Sequence, residues 1–217
     1  FDTGAALIAV NTNVVKEDIK SYKDLLNPKY KNSMVVLDDQ RILIGIALKA
    51  LGYSLNETDD AKLAQAKAYL EKLKPNIKLY DSDSPKSSLI SGEASIGLTW
   101  NAEAALAMNQ NKNIKVVYPQ EGMYIFIDNF AIPKGAKNKE AAELFINFIL
   151  RPEINKKIVE AFPYKSVNKA AEDSLPDSYK NNPASNIPDK EMIKGESVKD
   201  VGAATAKFDK IWSEIKQ

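Results

Sequence analysis

Tyr124-Ile125-Phe126-Ile127-Asp128-Asn129-Phe130-Ala131-Ile132-Pro133 is a β-type run with a carboxylate in its middle. Residues this apolar and aromatic read as a largely buried strand. A carboxylate in such a setting costs free energy unless a cation or several hydrogen-bond donors meet it. Asp128 is therefore either a strand-end residue that caps the following turn or a seat for something positive. What the rest of the chain can bring to the same place decides between them.

Upstream of this run, strand-like and helix-like segments alternate, which predicts an α/β domain. Ala5 to Val10 and Ser33 to Leu37 read as strands, and residues 41–51 continue at helical density until Gly52 stops them. Residues 58–74 carry an apolar stripe of Leu63, Ala66, Leu70 and Leu73, with Thr58 as the expected cap and Pro75 as the terminator. Strands follow at 77–80, 95–100 and 114–118, with helices at 84–91 and 102–110 between them. Downstream, residues 138–150 place Ala141, Leu144, Phe145, Phe148 and Ile149 on one helical face, and Arg151-Pro152 separates this helix from the next. Pro176, Pro183 and Pro188 cut residues 168–194 into short polar pieces that read as a surface excursion. Ala204, Phe208, Ile211 and Ile215 then recur at helical spacing and predict a docked C-terminal helix.

Composition narrows the chemistry. The 217 residues are 44% hydrophobic and 27% charged, enough for one large or two modest domains. A net charge of +1 gives no global attraction to nucleic acid or an anionic membrane. With no His and no Cys, the usual zinc sites, thiol nucleophiles, iron–sulfur clusters and Ser-His-Asp catalysis are excluded in their standard forms. Function must sit in a local site built from other groups, and no cofactor is expected.

In open α/β sheets, ligands lie beyond the carboxyl ends of the strands. The residues just after the apolar runs are Asp38-Asp39, Asp81-Ser82-Asp83-Ser84 and Trp100-Asn101, with Phe126 and Asp128 on the last strand. Carboxylates with flat aromatic walls suit an organic cation, because they pair with ammonium groups while ring faces attract cations and pack on methylenes. Metal chemistry fits less well, since the Asp81 run lacks the Gly and the distant Glu of an EF-hand loop. Helix capping is the competing reading for both Asp38-Asp39 and Asp81–Ser84, and packing is the competing reading for Trp100. A paired-carboxylate hydrolase on Asp38 and Asp39 is disfavoured, because adjacent loop residues point apart and no nucleophile or phosphate-cradling loop accompanies them.

Several segments are collinear with one known family. Asn27-Pro28-Lys29-Tyr30-Lys31, Leu37-Asp38-Asp39-Gln40-Arg41, Ala47-Leu48-Lys49-Ala50-Leu51-Gly52-Tyr53-Ser54, Gly97-Leu98-Thr99-Trp100-Asn101, Tyr118-Pro119-Gln120-Glu121-Gly122, Asp128-Asn129-Phe130-Ala131-Ile132-Pro133, Asn147-Phe148-Ile149-Leu150-Arg151-Pro152 and Asp200-Val201-Gly202-Ala203-Ala204 resemble the polyamine-binding proteins of bacterial ABC importers, the spermidine and putrescine receptors. The resemblance implies a type II periplasmic-binding-protein-like α/β fold of two lobes with a linear polyamine clamped between them. It implies a second lobe over 11–127, the remainder of the first lobe over 128–194, and a crossing segment with a helix packed on the second lobe over 195–217. It carries ligand-binding roles onto Asp39, Ser82, Trp100, Phe126, Asp128 and Tyr164, with Asp128 the principal amine-binding carboxylate. Phe126 stands where the spermidine receptor has Trp, Ile42 where it has a second carboxylate, and Val198 where it has Gln.

The resemblance thus implies a solute receptor and not an enzyme, with polyamine as ligand, permease subunits as partners, and no metal or nucleic acid. A related receptor for ferric ion or another organic amine is the alternative. The implied location is periplasmic or extracellular, with a lipoprotein anchor in a Gram-positive host. Phe1 leads directly into a strand-like run and no signal segment is present, which reads as the later two-thirds of a longer receptor, short of much of one lobe. Weak ligand affinity is expected of such a chain. Exposed apolar surface around Phe145 and Phe148, and a dimer that covers it, are expected as well.

Overall fold

The computed structural model describes all residues from Phe1 to Gln217. Its organising element is the strand β1, Asp2–Asn11, whose residues from Gly4 onward are all buried. A continuous apolar run of this kind forms when both faces of a strand are covered.

The other strands are β2 (Met34–Val36), β3 (Ile77–Tyr80), β4 (Ile96–Trp100), β5 (Ile114–Val117), β6 (Tyr124–Asp128), β7 (Lys165–Ser166) and β8 (Glu196–Ser197). All eight join one sheet with the path β3-β2-β4-β1-β6-β8, while β5 and β7 also pair with β1. Ala6 pairs with Trp100 of β4 and with Tyr124 of β6, so these two strands lie on opposite edges of β1. Ile8 pairs with β5 beyond the end of β6, and Asp2 pairs with Ser166 of β7 beyond the end of β4. Because β1 runs antiparallel to β4 and β6, its amino end lies beside their carboxyl ends.

The helices are α1 (Gln40–Ala50), α2 (Asp60–Leu73), α3 (Pro85–Ser91), α4 (Asn101–Gln110), α5 (Lys139–Ile149), α6 (Pro152–Ala161), α7 (Lys169–Ser174), α8 (Asp177–Lys180), α9 (Asp189–Met192) and α10 (Thr205–Lys216). On one face of β1, Ala6, Ile8 and Val10 join Leu43 and Ile46 of α1, Leu63 and Leu70 of α2, and Phe208, Ile211 and Ile215 of α10 in the larger core. On the other, Ala5, Leu7 and Ala9 pack with Leu89 of α3 and Ala104, Ala105 and Ala107 of α4. The C-terminal helix docks as its periodicity predicts. Gly52, at φ +85, ends α1 as expected, because a left-handed residue without Cβ lets the chain turn back on the helix. The cap of α2 is Asp59 and not Thr58: its Oδ1 accepts from Lys62 N at 3.0 Å.

Two readings change on the structure. The Tyr124–Asp128 strand is half-buried at Tyr124 to Phe126 and exposed at Ile127 and Asp128, because β8 pairs only with Tyr124 and Ile125 and leaves the outer edge uncovered beyond. Residues 168–194 also contribute to a core: Ala184 and Ile187 are fully buried in the second cluster. Asn101, itself fully buried, explains the docking, because its Oδ1 accepts from Ala5 N at 3.0 Å and its Nδ2 donates to Ala184 O at 3.0 Å.

Asn101→Ala leaves a buried N–H and a buried C=O without partners. Each such loss costs about 1–3 kcal/mol, so urea unfolding should show a destabilisation of at least ~2 kcal/mol.

Candidate functional site

The carboxyl ends of β2, β3, β4 and β6 lie along one end of the sheet, together with the amino end of β1. Side chains alternate across a strand, so Asp2, Gly4 and Ala6 share a face with their cross-strand partners Asp128, Phe126 and Tyr124. Trp100 joins them opposite Ala6. This face also carries the larger core, and the site is its polar margin.

An aromatic row follows from that register. Trp100 and Phe126 meet edge to face with centroids 5.2 Å apart, and Phe126 meets Tyr164 in the same way at 5.4 Å. Trp100 also touches Tyr124, at 6.3 Å. Gly4 makes the row possible: a Cβ there would lie 2.5 Å from Phe126 Cζ and 2.3 Å from Asn101 Oδ1. The Phe126 ring lies over bare backbone, and its hydroxyl-bearing neighbour across the strand, Thr3, donates to Phe126 O at 2.6 Å.

Acidic groups flank the row. Asp39 is half-buried at the N-terminus of α1, where Oδ1 accepts from Arg41 N at 2.7 Å and Ile42 N at 3.0 Å. The capping reading of this residue is correct, and both capping bonds fall on the same oxygen, Oδ1. Asp38 is ion-paired with Lys216 Nζ at 2.8 Å, and that ammonium also lies 3.8 Å over the Tyr80 ring. Ser82 Oγ accepts from Asp38 N at 2.8 Å, tying the loop after β3 to the loop after β2, and retains a hydroxyl proton to donate. Asp81 Oδ1 accepts from Asp83 N and Ser84 N, so this run does serve as a turn and cap.

Asp128 is exposed at the end of β6 and takes part in no ion pair. The buried carboxylate that the sequence led us to expect at Asp128 is instead its cross-strand neighbour Asp2, only 5% exposed. Burial and the adjacent Asp128 charge push Asp2 up to about 6. The Tyr164 phenol is raised by burial and, in smaller part, by the charges of Glu103, Asp2 and Asp128. The Tyr124 phenol is raised by burial, Asp39 and Asp128, against the lowering effect of Arg41. Sequence reasoning missed Asp2 and Tyr124. Ile42, by contrast, is fully buried in the larger core, and Val198 is exposed on the segment after β8. That segment is held down by Glu196, which accepts from Ser54 Oγ and from Asn56 Nδ2 and pairs with Lys49. No group of three or more acidic residues is placed to hold a metal ion.

The end of the sheet therefore offers two separated acidic points, Asp39 and the Asp2–Asp128 pair, with flat rings between them. The sequence of residues 1–187 matches the family of bacterial extracellular solute-binding proteins. The chain belongs to that family. The spermidine/putrescine-binding periplasmic proteins of Salmonella typhimurium and Escherichia coli are each 39% identical to this solute-binding protein over 98% of its chain. It spans 62% of their length. Among solved structures, a putative spermidine/putrescine ABC transporter protein of Listeria monocytogenes superposes with a TM-score of 0.94 at 29% identity, covering 100% of this chain and 68% of that one. The spermidine/putrescine substrate-binding protein of Streptococcus pneumoniae gives a TM-score of 0.83 at 34% identity and is covered over 67% of its chain. Similarity to these structures shows the mixed α/β architecture of periplasmic solute-binding proteins. No helix is long and apolar enough to cross a membrane.

The raised Asp2 carboxyl has a calculable effect on stability. A carboxyl whose folded pKa exceeds its unfolded value favours folding when protonated, and that contribution is lost as pH rises from about 4 through 6. Asp2→Asn removes the penalty, so it should stabilise the chain at pH 7 by about 1–3 kcal/mol and leave stability at pH 4 nearly unchanged. Paired urea titrations at the two pH values check this.

Proposed function

We propose that this solute-binding protein captures a linear polyamine, putrescine or spermidine, for delivery to the permease of an ABC importer. The observation that carries the reading is the row Trp100–Phe126–Tyr164 with carboxylates at its ends. Ammonium groups at the ends of a methylene chain match Asp39 on one side and Asp128 on the other, while the rings pack the methylenes. Ser82 supplies a hydrogen bond from the Asp39 side. Phe126 keeps the packing surface of an aromatic wall, with a weaker cation-attracting face than Trp would give. The names of the relatives point to the same ligand class.

Binding and not catalysis is the role that the groups support. Asp38 is engaged by Lys216 and Asp39 by the α1 amides, so neither is arranged as an acid–base pair. We assign residues 11–127, with the crossing segment and C-terminal helix at 195–217, to one lobe, and residues 128–194 to the other. Asp128 then sits at the crossing between lobes, where ligand capture couples to closure by hinge bending. The periplasmic relatives support placement outside the cytoplasmic membrane, and a lipid anchor accords with the Treponema pallidum lipoprotein that shares this fold at a TM-score of 0.88.

Asp128→Asn removes one charge-assisted contact, worth about 1.5–3 kcal/mol. In an NMR titration with putrescine and spermidine, the Trp100 indole signal should shift on ligand addition, and Asp128→Asn should weaken binding on the order of 10- to 100-fold. An unshifted indole, or unchanged affinity in the variant, would contradict the polyamine reading.

The second partner is another copy of the chain. Leu144, Phe145 and Phe148 of α5 are 70%, 55% and 44% exposed, and Phe130 packs against Phe145 beside them. A continuous apolar patch of this kind tends to associate. Light scattering should give a dimer that Phe145→Glu converts to monomer, and a monomeric parent chain would overturn the assignment.

A further inference from the structure

The buried carboxylate of Asp2 has no role in the site as the family resemblance describes it. It is cross-strand to Asp128 on β6 and to Ser166 on β7, at the amino end of the central strand. Directly opposed antiparallel residues hold their Cβ atoms about 4.5–5.5 Å apart, so the Asp2 and Asp128 carboxyl groups are neighbours on one face. Buried polar atoms are nearly always satisfied by protein or ordered water. Five buried side-chain atoms in this chain have no hydrogen-bond partner within the protein: Asp2 Oδ1, Tyr22 OH, Gln40 Oε1, Arg41 Nε and Tyr80 OH. Of these, only Asp2 Oδ1 belongs to an acid, and it lies at the acidic end of the aromatic row.

The surroundings supply no permanent cation side chain. Neither Asp2 nor Asp128 takes part in an ion pair, and the nearby Glu103 is already held by Lys86 at 2.8 Å. Lys165, on β7, is turned to Asp189 at 3.0 Å. Asn155 of α6 is spent on Ser166 Oγ and Phe1 O. The Phe1 amino group lowers Asp2 somewhat, but its hydrogen bond goes to the backbone carbonyl of Asp128. Burial and the nearby acids raise the Tyr164 phenol, so it adds no charge of its own.

We propose that Asp2 is a second ammonium-binding carboxylate, which together with Asp128 seats one terminal –NH3+ of the bound polyamine. The inference rests on the polyamine reading above and sharpens it. An ammonium has three N–H donors, and this seat offers it carboxylate oxygens from two adjacent strands. Position 42 gives no such group, since Ile42 is buried in the larger core. The second negative charge has therefore been supplied from β1, on the opposite side of the aromatic row from α1.

A proton balance follows. Near pH 6, Asp2 is partly protonated in the free chain. Seating an ammonium favours the ionised form, so binding near pH 6 releases a fraction of a proton from Asp2 to buffer, and affinity falls as pH drops through 6. Asp128 and the Phe1 amino group share the site with Asp2.

The test is calorimetry of putrescine binding to the parent chain, Asp2→Asn and Asp128→Asn, in buffers of different ionisation enthalpy at pH 6.0 and 7.5. Asp2→Asn is expected to be at least as stable as the parent, to bind at least tenfold more weakly at pH 7.5, and to lose the proton release seen at pH 6.0. If Asp2→Asn binds within twofold of the parent, or the parent releases no proton at pH 6.0, the role of Asp2 is overturned. Weakening by Asp128→Asn alone would leave the polyamine reading standing while removing Asp2 from the seat. Failure of the parent to bind any polyamine removes both.

Discussion

The register between β1 and β6 is the constraint on which the site depends. Because side-chain direction has a period of two, a slip of one residue would send Phe126 and Asp128 to the opposite face. The pairing of Gly4 with Phe126 and Ala6 with Tyr124 keeps the rings over small residues, where there is space for them. The same register sets Asp2 against Asp128. Substituting Gly4 would thus disturb the ring row and the acid pair together, since any Cβ meets both Phe126 and the Asn101 amide that docks residues 183–187. The edges of β1 are each shared by two partners, so the strand is pinned along its whole length and cannot relieve the electrostatic conflict by sliding.

The architecture was legible in the chain because its helices and strands are strongly periodic. The stripe Leu63–Ala66–Leu70–Leu73 and the docked face Phe208–Ile211–Ile215 each point one way in sequence and in space. The site was partly legible for a different reason. In a parallel sheet, polar residues immediately after apolar runs mark the ligand end, and that rule leads to Asp39, Ser82, Trp100 and Asp128. It cannot lead to Asp2, which opens its strand. An antiparallel strand in a mostly parallel sheet brings its amino end to the ligand side, and nothing in the residues of β1 announces which way it runs. The burial of the Tyr124–Asp128 run was overestimated because apolar content does not reveal that β8 covers only its first two residues. Residues 168–194 were underestimated for the converse reason: Ala184 and Ile187 are isolated among polar residues and buried by contacts remote in sequence.

Several site groups do two jobs. Asp39 satisfies the first amides of α1 with one oxygen, and Ser82 joins two loops as an acceptor while its proton remains to be given. Such dual use preorganises a polar site: the groups are held by the fold before a ligand arrives, so less conformational freedom is lost on binding. Lys216 shows the opposite solution. Its ammonium satisfies Asp38 and stacks on Tyr80, so one acidic residue of the pair 38–39 is neutralised internally and only its neighbour is left without an ion pair.

The acid end of the row follows a different logic, because Asp2 and Asp128 are left without a cation side chain of their own. A fold optimised for stability alone would place an apolar or amide side chain at position 2, where a buried carboxylate beside another carboxylate is penalised at neutral pH. Retaining it is a standing cost in stability that the Phe1 amino group offsets only in part and that, on the proposed reading, a ligand cation offsets further. The size of the penalty also bounds the benefit. Desolvation already raises the free energy of the ionised pair, so a bound ammonium gains both its own contacts and the release of that repulsion. A neutral solute of the same shape would gain neither. On the proposed reading, discrimination in favour of amines is thus built into the free state of the site, ahead of any contact the ligand makes with the rings.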